Sequence, residues 1–133
     1  MFQNLHPQLV TGGCQLRVRL GTGSTPGSNI INSGYVSAGK RDTGFSGQSA
    51  TNNDGFLVAS PVQNLRGHMI ITKFDDTTYI ESHQCMDSTD VIFVGAGELT
   101  GVSAPITQIA IVTEAGSTDP DFQSGKVNVL YEG

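Results

Sequence analysis

His83-Gln84-Cys85 places an imidazole and a thiol two residues apart, on one face of an extended chain. Both are zinc ligand types, but a structural zinc site takes about four ligands, in close pairs. The second pair would have to come from Cys14 and His68, which are distant in sequence and in different segments. No zinc site is therefore expected. Oxygen ligands are more plentiful. Asp87-Ser-Thr-Asp90 and Asp119-Pro-Asp121 carry carboxylates suited to calcium, yet neither follows the spacing of a calcium-binding loop. Asp75, Asp76 and these four are read as turn residues, because an aspartate side chain bonds nearby backbone amides. Glycoside hydrolysis needs two carboxyl groups facing each other across a sugar, and the spacing of Glu81, Glu98, Glu114 and Glu132 marks no such pair. Gly21-Thr-Gly-Ser24 and Gly95-Ala-Gly97 are glycine-rich, but no helix follows to aim amides at a phosphate. There is no Gly-x-Ser-x-Gly elbow. The reading is that the chain has no catalytic residues, metal ligands or cofactor site, and works by contact.

The elements that would present such contacts are strands. Helical periodicity with caps is missing along the whole chain. Gln15-Leu-Arg-Val-Arg-Leu20 alternates, with Leu16, Val18 and Leu20 on one side and Gln15, Arg17 and Arg19 on the other, as in a half-buried antiparallel strand. Asn29 to Ile31 and Gly34 to Ser37 form a weaker pair. Gly55 to Ser60 is a short apolar run stopped by Pro61. Arg66 to Phe74 and Thr78 to His83 read as a hairpin turning at Asp75-Asp76-Thr77. Val91 to Val94 is a buried run. Ile106 to Thr113 and Val127 to Tyr131 close the chain, with a polar turn between them. This predicts an all-β fold, an antiparallel two-sheet sandwich or jelly roll of about eight strands, with a small closed barrel as the alternative. An extended N-terminal arm over 1–14 precedes the sandwich domain over 15–133. Tyr35 and Tyr79 could offer sugar-stacking faces, but aromatic residues in strands more often pack in the core.

The chain has 133 residues, one domain's worth, and 37% of them are hydrophobic. Charged residues make up only 14%, against about 25% in a typical globular protein. Seventeen glycines, together with Ser, Thr and Asn, fill the segments between strands. Net charge is -5, and the seven Lys and Arg residues are scattered. Nucleic acid is excluded as the main partner, because displacing phosphate counterions needs clustered cations. Anionic membrane is disfavoured for the same reason. No signal peptide or membrane-spanning run is visible, so synthesis in a cytoplasm is expected. There the two cysteines are expected to be free thiols.

Two segments stand out as partner contacts. The arm, with Phe2, Leu5 and Leu9, could add a strand to a neighbour's sheet. The stretch from Ala38 to Asp54 reads as a long loop, and such loops are usually functional. It carries Lys40, Arg41 and Phe45, the last flanked by glycines and able to fill a neighbour's pocket.

Asn32-Ser-Gly-Tyr35, Asp54-Gly-Phe-Leu57, the run from Ile70 through Asp75-Asp-Thr-Thr-Tyr-Ile-Glu-Ser82, and Gly97-Glu-Leu-Thr-Gly101 together resemble small virion proteins of tailed bacteriophages. Ile109-Ala-Ile-Val-Thr113, Thr118-Asp119 and Phe122 to Glu132 extend the resemblance, which covers roughly residues 30–132. Its motifs are turns and strands. It implies a β-sandwich or jelly roll on a phage head, a non-enzymatic decoration (cement) protein that binds and stabilises the major capsid protein shell. It also implies homotrimers on the head surface of the virion. A tail-tip or tail-fibre module, recognising a host-surface glycan, is the alternative it leaves.

Overall fold

The computed structural model describes residues 2–7, 15–42, 47–59, 64–87, 90–114 and 122–130. Within them the chain is all-β, built as two antiparallel sheets packed face to face. The strands are β1 (Phe2–Pro7), β2 (Gln15–Gly21), β3 (Tyr35–Asp42), β4 (Gly47–Asn52), β5 (Phe56–Ala59), β6 (Leu65–Lys73), β7 (Tyr79–Met86), β8 (Ile92–Leu99), β9 (Gln108–Glu114) and β10 (Phe122–Val127). The larger sheet runs β10-β1-β6-β7-β8-β3-β4, and the smaller runs β5-β2-β9.

The hairpin expected at Asp75 is present. Phe74 N donates to Thr78 O at 2.9 Å, and Thr77 N donates to the Asp75 carboxylate at 2.8 Å. That second bond holds the Asp75 carboxyl below its usual range. Leu16, Val18 and Leu20 face inward as the alternation of β2 requires, each at most 1% exposed.

Two expectations are corrected. The stretch from Ala38 to Asp54 is largely a hairpin, not a loop: β3 continues to Asp42 and pairs in register with β4, from Ser37↔Asn52 to Asp42↔Gly47. Gly-Gln-Ser-Ala-Thr-Asn lacks the β-branched apolar signature of a strand. It is recruited by backbone pairing at a sheet edge, where little side-chain burial is needed. The closing strand lies earlier, at Phe122–Val127, while Val129 and Leu130 follow it as exposed chain. Ile109 is likewise 43% exposed, because β9 is the edge of the smaller sheet. Within the expected arm, residues 2–7 run as β1, between β10 and β6, with bulges in both pairings.

The core lies where β5 crosses the larger sheet. All four residues of Phe56–Ala59 are at most 3% exposed. Phe56 meets Tyr35 edge to face, with ring centroids 5.0 Å apart. Hydrogen bonds also cross between the sheets: Leu57 N donates to Ser37 Oγ at 2.9 Å, and Leu20 N donates to Tyr35 Oη at 2.8 Å. Burial raises the pKa of that Tyr35 hydroxyl, the main effect on it. Close approach is possible because Gly39, Gly95 and Gly97 line the inner face. A Cβ on Gly97 would come within 3.0 Å of the Phe56 ring and of Ser37 Cβ.

Candidate functional site

Two polar constellations occupy this framework. The first lies between the sheets. On β7, Glu81, His83 and Cys85 alternate with exposed residues, so all three turn inward. They are 4%, 5% and 2% exposed. His83 Nδ1 and Glu81 Oε1 are 2.5 Å apart and share a hydrogen bond. The remaining atoms, Glu81 Oε2 and His83 Nε2, are buried and meet no protein hydrogen-bond partner among the described residues. The imidazole fits because its cross-strand neighbour is Gly95; a Cβ there would sit 2.2 Å from His83 Cε1. Two residues along, Cys85 is a free thiol, pushed up to about 12 by burial and then by the charge of Glu81. A thiol so placed stays protonated and unreactive.

His83 and Cys85 thus share one strand face, as their spacing requires, and both are buried. The pair of ligand types is real, but it faces the core. Among the described residues no group of three or more His, Cys, Asp or Glu side chains converges as a metal site would require. What the arrangement does chemically is join two polar groups along one strand in the buried interior.

The second constellation braces the outer side of the smaller sheet. Arg17 and Arg19 alternate on β2, and both reach Asp54, in the bend before β5. Arg17 Nη1 donates to both carboxylate oxygens at 2.8 Å, and Arg19 Nη2 donates to Oδ2 at 2.7 Å. Arg19 Nε also donates to the Asp54 carbonyl at 2.6 Å. Asp54 N is capped in turn by the Asn52 side chain. The Arg17 side chain is only 7% exposed, although the alternation of β2 assigns it to the solvent side. Asp54 lies 37 residues away in the chain, and no local spacing signals that it would cover Arg17.

The sequence-assigned contact residues are spread apart. Phe2 and Leu5 lie on β1, where Phe2 pairs with both Val127 and Gly67, and Leu5 pairs with Leu65. Leu9 and Phe45 lie outside the described residues. Lys40 and Arg41 are split by the pleat of β3. Lys40 is exposed, with its Nζ 3.5 Å from Asp42 Oδ2, whereas Arg41 is half-buried with a buried Nε. They form no joint cationic patch. Tyr35 is core, and Tyr79 is half-buried against it.

The surface feature that sequence reading missed is the outer face of the larger sheet. Val36, Ile70, Ile80, Met86, Ile92 and Val94 all stand there, between 38% and 68% exposed. Each alternates with inward residues, so the signal lies in β3, β6, β7 and β8, but only their register brings the residues together. Comparison with known families, curated proteins and solved structures finds no match to this chain.

Proposed function

We infer that this chain is a non-enzymatic structural protein of a tailed-bacteriophage virion, a decoration protein that binds the major capsid protein and stabilises the shell. The observation that supports this reading is the use made of its chemistry-bearing side chains. Glu81 and His83 are enclosed between the sheets, and Arg17, Arg19 and Asp54 clamp β2 to the start of β5. Groups that elsewhere do catalysis are employed here in bracing. A braced sandwich suits a part that must resist outward pressure on a shell. The exposed apolar outer sheet adds the kind of surface that meets another macromolecule.

The test is binding of purified protein to expanded, undecorated capsids, read by co-sedimentation and by thermal release of packaged DNA. Saturable binding and a raised release temperature are expected. A protein that leaves capsids untouched overturns the reading, and attachment to isolated tails would move it to the tail-tip role.

A further inference from the structure

Glu81 holds one nitrogen of His83, and that bond fixes where the other nitrogen lies. Nδ1 turns along β7 to the carboxylate, so Nε2 is at the far edge of the ring, over β8. It is 2.8 Å from the place a Cβ would take on Gly95, and the Ala38 carbonyl oxygen is 2.7 Å from the same place. The nitrogen therefore sits at the border of β8 and β3. The next residue in that cross-strand row is Gly39, which pairs with Gly95. Its inward Cβ position falls about 5 Å further across the sheet. A Cβ there would have as its three nearest atoms Leu57 O at 3.5 Å and Leu57 Cδ2 and Cγ at 3.7 Å. The imidazole fills the space over Gly95, but Gly39 keeps methyl-sized room beside the buried nitrogen.

We propose that this room holds one internal water molecule, hydrogen-bonded to His83 Nε2 and to Leu57 O, that ties β7 of the larger sheet to β5 of the smaller. Water is smaller than a methyl group, so the room suffices. Leu57 supplies the acceptor because of an irregularity in β5. The β2–β5 register shifts between Arg17↔Leu57 and Leu16↔Ala59. At that shift Leu57 N turns from β2 and donates to Ser37 Oγ on β3. The N–H and C=O of one strand residue point the same way, so Leu57 O faces β3 as well and reaches Gly39. Its carbonyl has two lone pairs to offer. Water both donates and accepts, so it meets Nε2 in either tautomer of the ring. Two polar partners are enough to hold a buried water.

Internal spaces that stay dry are lined by apolar groups alone. This one has a buried imidazole nitrogen on one side and a backbone carbonyl on the other. Ordering one water costs less than leaving that nitrogen unmet. The site also gives a reason for glycine at position 39, where a larger residue would take the place of the water. It adds a polar tie to those that Ser37 and Tyr35 already make between the sheets. The inference stands apart from the decoration role, because it concerns how the sandwich is held together whatever its surfaces meet.

Gly39→Ala tests it by the sign of its effect. Gly39 is not among the positive-φ glycines, and the added methyl would make only ordinary contacts, so alanine fits the native backbone. Alanine also restricts the unfolded chain, which by itself stabilises. Filling an apolar gap would thus raise the melting temperature. With water in place, the methyl expels it and strands Nε2, and the melting temperature should fall by about 3 °C or more. In the Glu81→Met/His83→Leu background there is no nitrogen to strand, and the same substitution should cause no fall. A rise in the wild-type background overturns the proposal, as does an equal fall in both backgrounds. Water–protein Overhauser spectra of the unaltered chain give an independent readout, which decides even where a variant fails to fold. A contact between a long-lived water and the His83 Cε1 proton or the Gly39 α-protons is expected, and its absence overturns the proposal. Neither measurement needs a capsid, so failure here is separate from failure of the decoration role.

Discussion

Removing one member of the Glu81–His83 pair should cost far more than removing both. The two side chains are fully buried, 2.5 Å apart, and each keeps one polar atom without a protein partner among the described residues. His83→Ala takes away the one hydrogen-bond partner that the Glu81 carboxyl has among the described residues and leaves a void beside Gly95. Breaking a buried pair in this way costs about 3–5 kcal/mol. The double variant Glu81→Met/His83→Leu fills similar volume with apolar atoms. It also removes the two orphaned polar atoms, each of which carries a desolvation cost of about 1–3 kcal/mol. Its stability should therefore lie within about 1 kcal/mol of wild type, or above it. Urea unfolding followed by circular dichroism measures all four corners of the cycle, with the midpoint compared at constant slope. The reasoning fails if His83→Ala costs less than about 1 kcal/mol, or if the double variant loses as much as the summed single losses.

Asp54→Ala should destabilise by about 2–3 kcal/mol, since it frees two charge-assisted arginine contacts at once; Asp54→Asn should recover part of the loss in the same urea titration. Gly95→Ala should cost more than about 2 kcal/mol, because the added methyl would meet both the His83 ring and the Ala38 carbonyl, 2.7 Å away, and backbone cannot yield as a side chain can. Cys85 should resist alkylation in the native protein and label quickly in urea, read by mass spectrometry. The same thiol, and Tyr35, hold their protons more tightly folded than unfolded. Their contribution is complete below the unfolded values and is lost as pH rises through the folded ones. Stability should thus begin to fall above about pH 9, by up to about 1.4 kcal/mol per pH unit for each group. A flat profile to pH 11 would contradict this.

The sandwich was legible where local signals agree. Gln15 to Leu20 alternates, and Asp75-Asp-Thr77 is turn chemistry, so β2 and the β6–β7 hairpin were readable from a few residues each. The β3–β4 hairpin was not, because Gly47 to Asn52 gains its structure from an edge partner and not from its own side chains. The true position of β10 escaped for a related reason: Val-Asn-Val-Leu has strand character, but Phe122 to Val127 holds the pairing with β1. Within the candidate sites, the inward turn of Glu81, His83 and Cys85 follows from simple alternation once β7 is placed. The 2.5 Å contact does not, since it depends on side-chain rotation over Gly95. The Arg17–Asp54 clamp is a tertiary fact with no periodic trace. The apolar outer face needed the register of four strands before its residues could be seen to adjoin.

The smaller sheet has an unusual assembly order built into it. Its central strand, β2, pairs with β5 some 40 residues downstream and with β9 some 90 residues downstream, from Gln15↔Glu114 to Gly21↔Gln108. Within the β6–β7–β8 meander, by contrast, each pairing joins strands adjacent in sequence. Local hairpins can form within microseconds, whereas the distant pairings must wait for long loops to close. A chain emerging from the ribosome therefore carries β2, β5 and the meander before β9 exists, and the smaller sheet gains its third strand only once the last quarter has been synthesised.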